Sequence, residues 1–218
     1  IGFFMLSDPG TLRSIVFDLD GTLYVCPQIA DDIERAAIDL VAATRGVTRA
    51  AGRDLLRLAR RRLTEIRGEE PTLTQTCLDL GIELPEFHGA LQKGVHPERY
   101  LDHDPVLVAL LDSLRERCDL YIYTNNNLAL SHKILALLGV QSLFRRIYTI
   151  EFTGAPKPDP EAFFQVMEDI GGPPRSFLFV GDRELVDLRV PASLGCATLL
   201  VREAADLLQV HKLLGLIP

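Results

Sequence analysis

The sequence lacks the features that would point to a membrane, a metal-thiolate site or a nucleic acid. No apolar run approaches the roughly 18 residues that span a bilayer. The four cysteines are far apart and form neither a CxxC pair nor a Cys/His metal pattern, so they predict free thiols in a reducing, cytoplasmic setting. The net charge is −7, whereas binding to a nucleic acid polymer relies on many Lys and Arg contacts to phosphates. These absences favour a protein that acts on small molecules.

The chain has 218 residues, of which 47% are hydrophobic, and this suits one globular unit or a core domain with a smaller insert. It contains neither internal repeats nor low-complexity segments. The opening IGFFML is apolar, but no basic region precedes it and no small-residue cleavage site follows. We therefore interpret it as a packed arm or a vector-derived remnant and not as a signal peptide.

Short apolar strands alternate with helical stretches, which is typical of a parallel sheet with helices on both faces. The gaps between the last four strands are each about one crossover helix long. The predicted strands are residues 14–17, 120–123, 146–150, 177–180 and 197–201. The predicted crossover helices are residues 128–138, 161–170 and 185–193. The sequence thus predicts an α/β fold with a doubly wound parallel sheet.

The stretch between the first two strands is far longer than one crossover requires. Its patterns predict amphipathic helices, each ended by Gly or Pro, at residues 31–44, 50–66, 73–80 and 86–92. We therefore predict two domains, an α/β core of residues 1–26 and 104–218 and a smaller all-helical domain of residues 27–103. The run LARRRLTEIR in this insert is typical of a solvated helix face, although Arg57, Arg61 or Arg67 could instead reach a substrate.

The segment SIVFDLDGTLY carries the most informative residues of the chain. Asp18 and Asp20 follow directly on the first strand, which Gly21 and Thr22 end, so both acids should lie where open α/β sheets bind ligands. Two acids this close repel each other unless a cation lies between them, and Mg²⁺ prefers oxygen ligands of this kind. The alternative is a turn in which the Asp side chains supply only local hydrogen bonds.

The pattern hhhhDxDGT followed by Leu and an aromatic resembles the first motif of the haloacid dehalogenase superfamily, most of whose members are Mg²⁺-dependent phosphatases. The resemblance implies that Asp18 attacks phosphorus and that Asp20 is the general acid and base. It also implies that the helical insert is a cap that closes over the active site.

Three further segments match the remaining motifs of this family, in order and each after a predicted strand. In YIYTNNN, Thr124, Asn125 and the N–H groups of the following helix can hydrogen-bond phosphate oxygens, while Asn126 or Asn127 can cap that helix. The resemblance makes Thr124 the phosphate-binding residue of the second motif. In GAPKPDP, two prolines hold Lys157 on a rigid loop, and the resemblance implies that Lys157 neutralises the nucleophile and the phosphoryl group.

The last motif begins FLFVGDRELVD and places Asp182 and Asp187 after the fourth strand. The resemblance implies that Asp182 ligates Mg²⁺ and that Asp187 supports the site, often through water. Asp187 could equally be an acid that favours the dipole at the start of a helix. The implied cation site consists of Asp18, the backbone carbonyl of Asp20, Asp182 and waters, an all-oxygen set.

Together the motifs imply a Mg²⁺-dependent phosphomonoester hydrolase of small phosphorylated metabolites, as a monomer or homodimer without membrane or nucleic-acid partners. FDLDGTLY, HDPVLVALLDSLRE and YTNNN look most like the pyrimidine 5′-nucleotidase-like members, whose substrates are nucleoside monophosphates. The alternatives within the family are a phosphoglycolate or sugar-phosphate phosphatase, a phosphomutase, and a metal-independent 2-haloacid dehalogenase, which Asp20 and GDRELVD disfavour. A non-catalytic phosphate-binding protein on the same fold is the alternative from another class.

Overall fold

The computed structural model describes residues 11–217, so the predicted packed arm at the start of the chain lies outside the described residues. Within this range the chain forms two units. The core unit runs to Val25 and resumes at Leu101, and the helical unit is Cys26–Tyr100. None of the helices in the described range is long and apolar enough to cross a bilayer.

The helical unit contains four α-helices: α1 (Pro27–Arg45), α2 (Arg49–Arg67), α3 (Leu73–Asp79) and α4 (Leu84–Gly94). Helix α1 begins at Pro27, where the missing N–H would have no helical partner, and ends at Gly46 in a left-handed conformation with φ of 63°. Helix α2 approaches α1 closely at Gly52, where an added Cβ would lie 2.9 Å from the Cβ of Ala42. This close approach explains why a glycine is used inside a long helix.

Most arginines of α2 lie on its exposed face, whereas Arg60 is half-buried. Arg57, Arg61 and Arg67 all occupy exposed positions, and Arg57 forms an ion pair with Asp54 at 2.8 Å. An ion pair this exposed contributes little to stability because solvent screens it. The arrangement supports the interpretation of LARRRLTEIR as a solvated helix face.

The core unit is built on a five-stranded sheet in the order β3-β2-β1-β4-β5, in which all neighbouring strands are parallel. Its strands are β1 (Ser14–Phe17), β2 (Asp119–Tyr123), β3 (Arg146–Tyr148), β4 (Phe177–Gly181) and β5 (Ala197–Leu200). This order places β1 at the centre, with the chain passing first to one side of it and then to the other. The predicted α/β fold with a doubly wound parallel sheet is confirmed.

Six α-helices accompany the sheet: α5 (Pro105–Arg115), α6 (Leu128–Leu138), α7 (Ile150–Thr153), α8 (Pro160–Ile170), α9 (Arg189–Ser193) and α10 (Leu208–Leu213). Helix α8 is capped by Asp159, whose carboxylate accepts a hydrogen bond from the N–H of Ala162 at 3.0 Å. The helix predicted at 128–138 is confirmed as α6. The stretch predicted as one helix at 185–193 is instead a π-helical segment, Glu184–Leu188, that continues into α9.

The third strand is shorter than predicted. It ends at Tyr148, because Ile150 begins the single helical turn of α7, in which Ile150 and Thr153 are buried. Gly154 ends that turn in a left-handed conformation with φ of 68°. A short apolar run does not distinguish a buried strand from a buried helical turn, so the sequence pattern extended the strand too far.

Helix α8 packs on the aromatic side chains of the sheet. The ring of Phe163 meets those of Tyr123 and Phe179 edge-on, with centroids 5.1 and 5.7 Å apart. Burial of each of these rings stabilises the fold by about 1.5–3 kcal/mol.

The strands are in register, since Phe17 lies opposite both Ile122 and Val180. The loops that follow β1, β2 and β4 therefore start at the same edge of the sheet.

Candidate active site

The predicted site residues of the four motifs meet at the carboxyl edge of the sheet. Asp18 extends β1, since its N–H donates to the carbonyl of Val180 at 2.8 Å. Thr124 extends β2 in the same way, with its N–H donating to Tyr148 at 3.0 Å. Asp18, Thr124 and Lys157 are buried. The positions of these residues thus follow from the register of the strands.

Lys157 is the centre of the buried charge network. Its Nζ donates to Asp18 Oδ1 and to Asp187 Oδ1, each at 2.7 Å, and to the backbone oxygen of Tyr123 at 2.9 Å. Burial alone would lower the pKa of Lys157, but the charges of Asp18 and Asp187 raise it above its ordinary value. Lys157 therefore stays protonated and acts as a fixed positive charge beside Asp18.

Asn125 holds the loop that carries Lys157. Its Oδ1 accepts a hydrogen bond from the N–H of Lys157 at 2.8 Å, and its Nδ2 donates to the carbonyl of Lys157 at 3.2 Å. The side-chain amide thereby links the loop after β2 to the loop before α8. Contact of Asn125 with a phosphate group stays a prediction.

Thr124 and the start of α6 are joined by local hydrogen bonds. The Thr124 hydroxyl accepts from the N–H of Asn126 at 3.1 Å. Asn127 caps α6, because its Oδ1 accepts from the N–H of Leu130 at 2.8 Å, while the N–H of Leu128 donates to the Glu151 carboxylate at 2.9 Å. Two of the N–H groups that the sequence pattern directs at a phosphate are therefore already bonded within the protein.

Asp18 has a donor on each carboxylate oxygen. Besides the bond from Lys157 to Oδ1, the hydroxyl of Thr22 donates to Oδ2 at 3.1 Å. Burial raises the pKa of Asp18, and the charge of Lys157 opposes that rise. The two donors fix the plane of the carboxylate, as a nucleophile that attacks along one direction requires.

Asp20 lies in a different environment. The hydroxyl of Tyr24 donates to its Oδ1, and Asn126 Nδ2 donates to its Oδ2 at 2.6 Å. Burial, followed by the charge of Asp18, raises the pKa of Asp20 to about 6. A carboxyl group with a pKa near neutrality can both give and take a proton under ordinary conditions. The environments of Asp18 and Asp20 thus favour different chemical roles.

Asp182 has a buried carboxylate oxygen whose charge a bound cation would offset. Its Oδ1 is buried and has no hydrogen-bond partner among the described residues, although Arg183 Nε lies 3.7 Å away, at ion-pair distance. Its carboxylate lies against Gly21, where an added Cβ would come within 2.4 Å of Oδ2. Burial, followed by the charge of Asp18, raises the pKa of Asp182 to about 7. A bound cation would relieve the cost of ionising this group.

Asp187 is held inside the π-helical segment by two bonds. Its Oδ1 accepts from Lys157, and its Oδ2 accepts from the N–H of Arg183 at 3.0 Å. One carboxylate oxygen from each of Asp18, Asp182 and Asp187 lies within 4.8 Å of the others, a spacing that one metal ion could bridge. Both oxygens of Asp187 and both oxygens of Asp18 already accept hydrogen bonds, whereas Asp182 Oδ1 accepts none from the described residues, so Asp182 is the best candidate for a direct ligand.

The structure adds three residues that the sequence analysis did not assign to the site. Thr22 donates to Asp18, and Tyr24 and Asn126 donate to Asp20. Each of them lies within one of the four motifs, but the sequence of a motif does not show the direction in which a side chain points. Asn126 was considered only as a helix cap, a role that Asn127 fills.

The sequence of this chain is similar to those of known hydrolases. The model of the family described as haloacid dehalogenase-like hydrolase matches residues 12–195. The glyceraldehyde 3-phosphate phosphatase of Methanopyrus kandleri is 26% identical over 196 residues, which cover 88% of this chain and 84% of that protein. The N-acetylmuramic acid 6-phosphate phosphatase of Pseudomonas aeruginosa is 26% identical over 200 residues, covering 88% and 82% of the two chains.

The backbone fold of this chain is also similar to that of a solved structure. The HAD phosphatase from Thermococcus onnurineus has a TM-score of 0.63 to this chain at 20% sequence identity, covering 94% of this chain and 98% of its own. That likeness concerns the arrangement of the backbone, whereas the family match concerns the sequence over most of the chain. On these grounds the chain belongs to the haloacid dehalogenase-like hydrolase family.

Proposed function

We propose that this protein is a Mg²⁺-dependent phosphomonoester hydrolase that acts through an aspartyl-phosphate. The proposal rests above all on the pairing of Asp18, a buried carboxylate beside the fixed charge of Lys157, with Asp20, a second carboxyl group whose pKa is about 6. A 2-haloacid dehalogenase needs the nucleophile but neither the second acid nor a metal. The presence of Asp20 and of a buried Asp182 oxygen that has no hydrogen-bond partner among the described residues therefore supports the phosphatase.

The proposed reaction has two steps. An oxygen of Asp18 attacks phosphorus while the bond from phosphorus to the ester oxygen breaks, and Asp20 gives its proton to that departing oxygen. Water then attacks phosphorus, Asp20 takes a proton from the water, and inorganic phosphate leaves as Asp18 becomes a carboxylate again. Lys157 offsets negative charge beside Asp18 in both steps, since its charge is held in place before the substrate binds.

The residues present fit a Mg²⁺ ion. Their ligand atoms are all oxygen, the buried Asp182 Oδ1 has no hydrogen-bond partner among the described residues, and one carboxylate oxygen from each of Asp18, Asp182 and Asp187 lies within 4.8 Å of the others. Asp18 and Asp182 would hold the ion, together with the backbone carbonyl of Asp20 and water. When bound, it would offset the negative charge of the carboxylates and of the phosphate group.

The substrate class is the less defined part of the proposal. The names of the two curated relatives refer to phosphorylated sugars, so we propose sugar phosphates and similar small phosphate esters as the first class to test. Nucleoside monophosphates, which the motif resemblance implies, form the second class. A reducing, cytoplasmic setting belongs to the same proposal, because all four cysteines are free thiols.

Hydrolysis of phosphate esters should depend on Mg²⁺ and on Asp182. We expect a panel of sugar phosphates, nucleotides, phosphoglycolate and an aryl phosphate to show turnover that disappears with EDTA and returns with Mg²⁺ but only weakly with Ca²⁺, whose coordination is longer and looser. Asp182→Asn should raise the Mg²⁺ concentration needed for half-maximal activity. Asp112→Asn, on the exposed face of α5, serves as the control and should match the wild type. Turnover that is indifferent to chelation would contradict the proposal.

The stabilising effect of Mg²⁺ should grow with pH. Asp20 and Asp182 have pKa values of about 6 and about 7 in the folded protein, above the ordinary value of 3.8. Between about pH 4 and 7 the folded metal-free protein therefore binds more protons than the unfolded chain, so its stability falls as pH rises. Mg²⁺ bound by Asp182 replaces the proton of that carboxyl group, and the thermal shift it causes should be small at about pH 5 and about 5–10 °C at about pH 8, with Mg²⁺ at a hundredfold excess over Kd.

The matching control separates this effect from general salt stabilisation. Asp182→Asn should lose most of the Mg²⁺-induced shift at the higher pH, whereas Asp112→Asn should keep it. Thermal unfolding followed by circular dichroism at both pH values measures the shift. An equal shift at the two pH values would show that the Asp182 carboxylate does not bind the ion.

A further inference from the structure

We propose that Tyr24 and Asn126 are positioning residues that hold the Asp20 carboxyl group in the orientation needed for proton transfer. The inference rests on the proposed function, because it concerns the proton that Asp20 gives to the departing ester oxygen and the proton that it takes from water. It adds two residues to the machinery of that reaction, one from the loop after β1 and one from the loop after β2.

Both oxygens of the Asp20 carboxylate accept a hydrogen bond from a side chain of the protein. The Tyr24 hydroxyl donates to Asp20 Oδ1, and Asn126 Nδ2 donates to Asp20 Oδ2 at 2.6 Å. Each oxygen of the carboxylate thus has its own donor. Both donor residues are buried, with 7% of Tyr24 and 8% of Asn126 exposed, so water cannot readily replace them. A carboxylate bonded at both oxygens cannot rotate about its terminal bond without losing a hydrogen bond.

The backbone holds both donors in place. Tyr24 forms an isolated parallel bridge with Asp20, and the N–H of Gly21 donates to the carbonyl of Tyr24 at 2.9 Å. Asn126 is fixed through its N–H, which donates to the Thr124 hydroxyl at 3.1 Å. The donors therefore keep their positions whichever protonation state Asp20 has. A displacement of about 1 Å at a reacting group can cost on the order of 10²-fold in rate, so such fixed positions have catalytic value.

Simple packing does not explain these side chains. A buried hydroxyl and a buried amide cost solvation free energy unless they are hydrogen-bonded, and Phe or Leu would fill the same space without that cost. Asn126 does not cap α6, since Asn127 does so. The polar groups at both positions point at one acceptor, Asp20, and this common target is what indicates a role in its chemistry.

Two substrates that differ in leaving group test the inference. An alkyl phosphate such as glycerol phosphate needs a proton on its departing oxygen, whereas 2,4-dinitrophenyl phosphate releases a stable anion that needs none. The value of kcat/KM reports on the first phosphoryl transfer alone. Tyr24→Phe and Asn126→Ala should each lower kcat/KM for the alkyl phosphate by about 10- to 100-fold and leave that for the dinitrophenyl ester nearly unchanged.

The second step gives an independent readout. Both substrates form the same aspartyl-phosphate, whose hydrolysis requires Asp20 to take a proton from water. The variants should therefore lower kcat for the dinitrophenyl ester while its kcat/KM is kept, a split that a loss of folded protein would not produce. In an Asp20→Asn background, Tyr24→Phe should have no further effect on the alkyl phosphate, because the group that it positions is already disabled.

Each of the two variants has a matched control, which changes a residue of the same type in the core unit. Tyr121→Phe removes a hydroxyl from another tyrosine of the core unit, and Asn127→Ala removes the cap of α6. Each should change kcat/KM for the two esters by the same factor. Tyr24→Phe deletes a single oxygen from a buried ring and so keeps the inference testable even if Asn126→Ala folds poorly.

The outcomes distinguish this inference from the proposed function. If the wild type hydrolyses neither ester, the phosphatase proposal is wrong. If the wild type hydrolyses both esters and the two variants lower kcat/KM for both by equal factors, the phosphatase stands and the positioning role is overturned. A loss confined to the alkyl phosphate, together with the kcat split, supports the positioning role.

Discussion

Asp18→Asn should lower kcat/KM for every phosphate ester by at least about 10⁴-fold while the fold is kept. The amide has the shape of the carboxylate but cannot attack phosphorus. It also keeps one oxygen that can accept the hydrogen bond from Lys157, while its NH2 group takes the place of the oxygen to which Thr22 donates and can donate to the Thr22 hydroxyl instead. The loss should therefore appear in catalysis and far less in stability. Single-turnover assays with an aryl phosphate, together with thermal unfolding, measure the two effects separately.

The control for this prediction is a carboxylate of the same unit that lies outside the site. Asp112→Asn removes a charge from α5, where Asp112 is 60% exposed and 3.7 Å from Arg115. It should leave kcat/KM at the wild-type value. If Asp18→Asn keeps more than a small fraction of wild-type turnover in pure protein, Asp18 is not the nucleophile.

Lys157→Met should have the second large effect, because it removes the ammonium group that forms ion pairs with both Asp18 and Asp187. Met keeps an apolar side chain of similar length but makes none of the three hydrogen bonds of the ammonium group. Two buried carboxylates would be left without that partner, which should lower the free energy of unfolding by about 3–5 kcal/mol near neutral pH. The same change should lower kcat/KM by about 10²–10³-fold.

The pH and a second substitution separate a charge effect from a packing effect. The loss of stability in Lys157→Met should shrink at low pH, because protonation neutralises the stranded carboxylates. Lys157→Met with Asp187→Asn should recover part of the stability but not the activity. Lys212→Met, at an exposed position of α10, is the matched control and should change neither quantity. Urea unfolding at two pH values provides the measurement; an equal loss at both would indicate that packing, and not charge, is what Lys157 contributes.

The glycines of the motifs illustrate how a local pattern can carry a tertiary requirement. Gly21 and Gly181 were visible in the sequence only as breaks after strands. In the folded protein an added Cβ at Gly21 would lie 2.4 Å from Asp182 Oδ2, and one at Gly181 would lie 2.4 Å from the Cβ of Asp187. Both glycines therefore make room for acids of the last motif. The sequence marked the positions, and the structure supplies the reason.

Much of the fold could be predicted because its signals are local. The strand that ends at Asp18, the long helical insert and the placement of Thr124 and Asp182 after strands all follow from apolar periodicity and turn residues within short windows. The carboxyl ends of parallel strands share one edge, so the approximate meeting of the motif residues was implied as well. The predicted end of β3 was wrong, because the apolar run of this strand continues into the helical turn of α7.

The sequence by itself determined the family, the doubly wound sheet and the edge of that sheet at which the acids gather, since each depends on patterns that neighbouring residues carry. Only the tertiary structure decided which donor meets which acceptor. Asn126 bonds to Asp20 across 106 positions of the chain, and Lys157 bonds to Asp18 across 139. Such bonds depend on loop paths and side-chain directions to within a fraction of an ångström, because a hydrogen bond weakens steeply with distance and angle. No periodicity in the sequence encodes that geometry.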